Sequence, residues 1–269
     1  MPGFTIQEQN QDMVSLLSAY FRLLYNPVHA FADAIGMLQM FPGIVGIWPG
    51  SVSGGGSGNQ NMLVDVSGNA LHLTRNGSPV FNAAQLRSIV SFNGSTDYYT
   101  HADAAIFDIL GTETHIASTL RGLTIGAWIF PDNALPAATE QILTKGGTSA
   151  YLISRGTTGL MNLWISDGIT PVQVASTSAV GTGWSFVCGR FDPSTEQKLW
   201  VNGTSYTNTT SIPASIANVA DNFSIGANGV GSNFFDGSIA LAFLAQAAIP
   251  DQFINAYFQM TAPLFGISV

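Results

Sequence analysis

The chain is 269 residues long, with 9% charged and 46% hydrophobic residues, 29 glycines and a formal net charge of -8. Its eight Lys and Arg residues stand singly, so no basic patch exists to neutralise phosphates or to meet an anionic bilayer, and nucleic acid and membrane surfaces are excluded as expected partners. A single cysteine rules out an intrachain disulfide, which leaves stability to packing or assembly.

The opening "MPGFTIQEQNQD" has neither the positive n-region nor the apolar h-region of a secretory signal, and no apolar stretch is long enough to span a bilayer. After Asp12, which suits an N-cap, Met13, Leu16, Leu17, Tyr20 and Leu24 recur at three- and four-residue spacing and predict an amphipathic helix ending near Pro27. A second helical pattern runs over about 28–40 until Pro42 and Gly43 break it. Beyond that point Val, Ile, Thr and aromatic residues alternate in short runs between Asn-Gly, Asp-Gly and Gly-rich turns, the punctuation of an all-β domain. The Gly/Ser stretch "GSVSGGGSGNQN" reads as a loop inside that domain. The expected division is a helical docking or oligomerisation segment over 1–41 and a β-sandwich over 42–269. Leu16, Leu17, Tyr20, Phe21 and Leu24 are the expected assembly face.

Strands are predicted at 45–48, 71–74, 89–92, 98–100, 123–130, 142–145 and 150–154, and then at 160–166, 172–175, 184–191, 198–201, 223–225 and 235–245. So many short strands with tight polar turns predict two antiparallel sheets packed face to face, a jelly roll. Trp128 and Trp184 sit among alternating strand residues and are expected to fill the space between the sheets. Asn202 and Gly203 stand where a two-residue hairpin turn needs positive φ, and Cys188, alternating within "WSFVCGRF", reads as a small buried apolar residue. In the last strand Ile239, Leu241 and Phe243 are expected on one face and Ala240, Ala242 and Leu244 on the other; both faces are apolar, so the outer one needs a cover. Helices from the N-terminal segment, or a neighbouring subunit, would supply it. A short C-terminal helix is predicted from Pro250 and Asp251, with Phe253, Ala256, Tyr257 and Met260 on one side. The apolar tail after Leu264 suits burial better than exposure to water.

Six segments, in order, resemble the laminin G-like, concanavalin A-like jelly rolls. They are "VDVSGNALHLT", "VSFNGSTDYYTHAD", "LTIGAWIFP", "ILTKGG", "VGTGWSFVCGRFDPSTEQKLWVNG" and "FSIGAN…NFFDGSIALAFL". The resemblance implies an all-β, two-sheet antiparallel β-sandwich (jelly roll, concanavalin A-like) with an N-terminal α-helical segment and a short C-terminal helix. In the family the closing strand commonly reads G-x-[IL]-D, and the aspartate helps to hold a calcium or a loop. Here Ala240 takes that place, so no cofactor is required, and a structural calcium ion would have to be gathered by Asp65 and Asp97 with backbone carbonyls. Asp65 equally suits an Asx-type turn in "DVSGN" and Asp97 a solvated turn.

A sandwich glycosidase needs two carboxylates on one strand face, visible as E-x-D or E-x-x-x-E within a strand. Between 159 and 191 the only acid is Asp167, in an Asp-Gly pair that reads as a turn, so no catalytic residue is assigned and no enzyme is expected. The expected role is a structural or adhesion protein on the exterior of an assembly. Sparse charge, the missing leader and family usage point to a bacteriophage virion component, head decoration or tail-associated, with a homo-oligomer and other virion proteins as partners. The alternative is a lectin-like module that attaches to cell-surface glycans, with Trp164 and Trp200, each just ahead of a turn, as the ligand-binding aromatics. A glycoside hydrolase or lyase is the remaining reading.

Overall fold

A computed structural model of the chain describes residues 30–50, 61–82, 89–112 and 120–269. In chain order these form helix α1 (Ala30–Gln39) and strands β1 (Ile44–Trp48), β2 (Met62–Leu63), β3 (Leu73–Asn76), β4 (Val80–Asn82), β5 (Ile89–Asn93) and β6 (Tyr98–His101). Then follow β7 (Leu123–Pro131), β8 (Glu140–Lys145), β9 (Tyr151–Arg155), β10 (Leu160–Ser166), β11 (Pro171–Ala179) and β12 (Ser185–Asp192). The last elements are β13 (Glu196–Val201), β14 (Thr204–Asn208), β15 (Phe223–Ile225), β16 (Asp236–Ala245) and helix α2 (Asp251–Thr261), which runs into a 3-10 turn at Ala262–Phe265.

The strands build two antiparallel sheets. The first runs β14-β13-β12-β7-β16-β5-β4, with β1 also paired to β16; the second runs β11-β10-β9-β8-β15-β6-β3-β2. Their facing surfaces enclose one core, in which Ile125, Ala127, Ile129, Val187 and Leu199 of the first sheet meet Leu143, Ile153, Leu163, Phe223 and Ile225 of the second. Trp48 belongs here: its ring stacks on Phe223 at 5.1 Å, and its indole N–H donates to the Leu71 carbonyl at 2.9 Å.

A second core lies on the outer surface of the first sheet. Ala34, Met37 and Leu38 of α1, Phe41, and Phe253, Ile254, Tyr257 and Phe258 of α2 pack there on Trp128, Phe186, Cys188, Trp200 and Phe243. The expected cover over β16 is therefore made within the chain, by α1 together with α2. Trp128 and Trp184 correct their expectation, because both face this helical layer instead of the other sheet. Trp128 stacks on Phe265 at 4.2 Å and donates its N–H to the Thr261 hydroxyl at 3.0 Å; Trp184 leans on Phe265 and Phe130. Burial here pushes the Cys188 thiol well up, so it is an inert apolar side chain.

The faces of β16 also differ from simple alternation. Ala240 pairs with Trp128 but Phe243 with Gly126, so three steps along β16 match two along β7. The extra residue is a β-bulge, with Leu241 at a φ of 48°. It places Ile239, Ala242 and Leu244 in the inter-sheet core and Ala240, Leu241 and Phe243 under the helices. Gly126 accommodates this, since a Cβ there would lie 2.8 Å from the Phe243 ring. Strands β2, β4 and β14 were not predicted. The first two span two and three residues, too few for a period, and "TSYTN" of β14 is a polar edge strand with one large apolar side chain.

Candidate functional site

Strand β10 carries Met161, Leu163 and Ile165 into the core, which turns Asn162 and half-buried Trp164 to the outer surface of the second sheet. Trp164 lies opposite Leu152 and Gln173, and the Gln173 amide donates to Asn162 beside it. Trp200 is placed differently. It is 1% exposed, beneath the helical layer, with the Arg190 guanidinium and the Lys198 ammonium 5.4 and 5.6 Å from its ring. A ring without an open face cannot stack on a sugar, so Trp200 is corrected from a ligand platform to a core residue that receives two cations.

The two aspartates considered for calcium are already engaged. Asp65, 6% exposed, accepts the backbone N–H groups of Ile47, Ser67 and Leu71 and the Ser67 hydroxyl, which ties β1 to the following turn. Asp97 accepts the Ser78 N–H at 2.7 Å and the Thr96 hydroxyl. Among the described residues no three His, Cys, Asp or Glu side chains converge in a way that could hold a metal ion. The assembly residues Leu16, Leu17, Tyr20, Phe21 and Leu24 lie outside the described residues.

Three of the four carboxylates on the described strands, all but Asp192 at the end of β12, are also occupied. Glu140 pairs with Arg155 at 3.1 Å, Glu196 with Arg190 and Lys198, and Asp236 accepts from the Asn133 amide. Burial raises the Glu140 carboxyl above its ordinary value even against the Arg155 hydrogen bond and charge.

An open site lies instead at the end of the sandwich where the β13–β14 hairpin turns. Asn202 and Gly203 have φ of 49° and 81°, the two positive values of the hairpin turn expected there. The Asn202 amide is locked, accepting the Phe186 N–H at 2.8 Å and donating to the Ser185 hydroxyl. Thr204 pairs with Val201 and Tyr206 with Leu199, so both side chains point to the inter-sheet side. There they face the end of β11 and the loop that leads to Trp184. Between them is a cleft of about 280 Å³, near the lower end of the ~300–1,000 Å³ typical of ligand sites.

Its polar lining comes from Ser178, Thr182, Ser185, Asn202, Thr204 and Tyr206, with Trp184 on the rim, and no acidic or basic side chain lines it. Arg155 holds this end of the molecule in shape. Fully buried, it donates to the carbonyls of Val180, Asn133 and Ala134 while pairing with Glu140, so one guanidinium fixes both the cleft wall and the β7–β8 loop. Sequence reasoning had assigned Trp184 to the core and Asn202 to a turn, and had passed over Tyr206. The available signal was "VGTGW", a glycine-rich loop delivering an aromatic residue to the start of a strand.

On the opposite side of the same turn is a second cleft of about 490 Å³, between the hairpin, α2 and the chain end. Its lining, which includes Thr204, Asn255, Phe258 and Gln259, also lacks a charged side chain.

The comparisons with known proteins fit this architecture. The binding domain of Paraclostridial Mosquitocidal Protein 1 is similar with a TM-score of 0.62 at 13% identity, over 82% of this chain and 52% of that one. The binding domain of botulinum neurotoxin DC in complex with SialylT gives 0.55 at 12%, over 82% and 52%. The chain thus spans about half the length of these toxin domains. Domain 4 of AbnA, a GH43 extracellular arabinanase from Geobacillus stearothermophilus, in complex with arabinotriose, gives 0.59 at 16%, over 81% of this chain and 100% of that one. At these identities the likeness concerns the fold. No curated protein matches at the level of sequence. The family model described as the concanavalin A-like lectin/glucanases superfamily (Laminin_G_3) matches residues 93–248, more than half of the chain, from the end of β5 to just before α2. With its two sheets and their order, that match makes this chain a member of the concanavalin A-like lectin/glucanases superfamily, in its laminin G-like branch.

Proposed function

We propose that the chain is a non-catalytic, lectin-like module that binds neutral glycans in the cleft at the β13–β14 turn. The observation that carries this reading is the lining: hydroxyls and an amide beside the Tyr206 ring, with Trp184 at the rim and no ionised side chain. Sugars present the same combination, hydroxyls around an apolar ring face, and a few placed polar groups beside aromatic rings suit them. The carriage of arabinotriose by AbnA domain 4 lends support from a protein of the same fold. The engagement of Glu140, Glu196 and Asp236 in ion pairs and hydrogen bonds favours binding over hydrolysis. A place on the exterior of a phage particle, where such a module would serve attachment, rests on composition and family usage.

The test is calorimetric titration of the intact chain with neutral oligosaccharides, arabinotriose among them, and with a sialylated glycan. Neutral ligands are expected to bind, and Trp184→Ala and Tyr206→Phe to weaken them, the first by about tenfold or more. Tyr206→Phe removes one hydroxyl and keeps the ring, so it separates ligand contact from folding. Affinity untouched by both variants, or release of shorter sugars from the ligand, would overturn the proposal.

A further inference from the structure

The β13–β14 hairpin stands as a partition between two clefts lined by uncharged side chains. Asn202 and Thr204 line both of them, the smaller on the inter-sheet side and the larger on the side of α2. No charged side chain lines either cleft along the way over the turn. The partition is low and fixed: a Cβ at Gly203 would lie 2.8 Å from the Phe258 ring, so the turn is pressed onto α2, and Asn202 is bonded to Phe186 and Ser185 beneath it.

The far cleft has features of a binding wall. Asn255 and Gln259 are four residues apart on α2, which brings them to one face. Both side chains line the cleft, and neither amide has a hydrogen-bond partner among the described residues. Each amide offers a donor and an acceptor side by side, a pairing that matches neighbouring hydroxyls on a sugar. The floor between them is the nearly buried ring of Phe258.

We infer that the two clefts are subsites of a single site, and that its ligand is an extended, unbranched neutral oligosaccharide that crosses the Asn202-Gly203 turn. This rests on the glycan-binding reading of the first cleft and specifies the length and course of what it takes. A chain held only at Trp184 and Tyr206 would gain nothing from additional units. One that crosses the turn gains contacts with Asn255 and Gln259.

The experiment measures affinity as a function of chain length. Arabino-, xylo- and cello-oligosaccharides from disaccharide to octasaccharide are titrated against the intact chain and against the double variant Asn255→Ala/Gln259→Ala. Both positions are at least partly exposed and lie outside the helix's packed face, so the fold should be retained, and a thermal melt verifies it. In the series that binds, affinity is expected to climb by about tenfold beyond the length that fills the first cleft, as two added hydrogen bonds would provide. The double variant should remove that climb and leave the shortest ligands unchanged. Short ligands that bind with no gain from greater length, or a gain that survives in the double variant, would overturn the inference and leave the first cleft standing. Absence of binding at every length in all three series would remove both.

Discussion

Arg155 is buried at the end of β9 with five partners: the Glu140 carboxylate, the Asn133 side chain, and the carbonyls of Val180, Asn133 and Ala134. A guanidinium desolvated to this degree is sustained only by complete pairing, and its removal strands Glu140 in the interior. Arg155→Met should therefore lower stability by about 3–5 kcal/mol in urea unfolding. Arg155→Met/Glu140→Gln should recover a good part of the loss, because most of the penalty is the stranded charge. If the double variant is as unstable as the single one, the lost loop contacts dominate instead. At this scale the sequence is only partly legible. Alternation in "KLWVNG" places Trp200 on the opposite face from Leu199 and Val201, but which face meets water depends on helices far along the chain. Trp164 follows the same rule on a sheet surface that remains partly open, so its placement was easier to anticipate. Asp65 could be read as a turn residue or as a metal ligand from its motif, and the N–H groups of Leu71, six residues on, and of Ile47, eighteen residues back, decide what it touches.

Helix α2 is fastened at its start by Asp251, which receives hydrogen bonds from Arg190 and, at 2.8 Å, from Lys198. Burial alone would raise this carboxyl. The Lys198 hydrogen bond and the two positive charges outweigh it and hold the group below the ordinary aspartate value of 3.8. A depressed carboxyl contributes stability that is present above its unfolded value and is lost as pH falls through the folded one. Asp251→Asn should thus be less stable than the wild type by about 1 kcal/mol at neutral pH, a first-turn charge and a partly exposed pair being worth that much together. The gap should close as pH falls below 3.8. Burial shifts Asp132, Glu140 and Asp192 upward, so they favour the folded state on the acid side, and the difference between the two proteins isolates Asp251. A gap independent of pH would mean that the side chain acts through packing. Most strands were legible as elements because apolar alternation and Asn-Gly turns agree locally. The bulge in β16 was not, because "SIALAF" alternates small and large side chains straight through Leu241 and only the register against β7 reveals the added residue.

The molecule is three layers deep, with two sheets and a helical layer that closes one side. Residues 1–41 were expected to form a helical docking or oligomerisation segment, and in its described part α1 and Phe41 share their core with Phe243 and Tyr257. A chain beginning at residue 42 would lose the buried side chains of Ala34, Met37, Leu38 and Phe41, on the order of 5 kcal/mol of apolar burial. It should melt at a lower temperature and self-associate through the uncovered Phe243 surface, as calorimetry and sedimentation velocity would register. An unchanged melt and a monodisperse monomer would mean that the sandwich over 42–269 is self-sufficient. The arrangement of charge has its own consequence. Lys145, Arg155, Arg190 and Lys198, half of the cationic side chains, are turned inward to carboxylates, and the mouth of the sandwich presents only dipoles. Dissolved ions have little to screen there, so a surface that meets its target in this way would hold on equally well in dilute buffer and in brine.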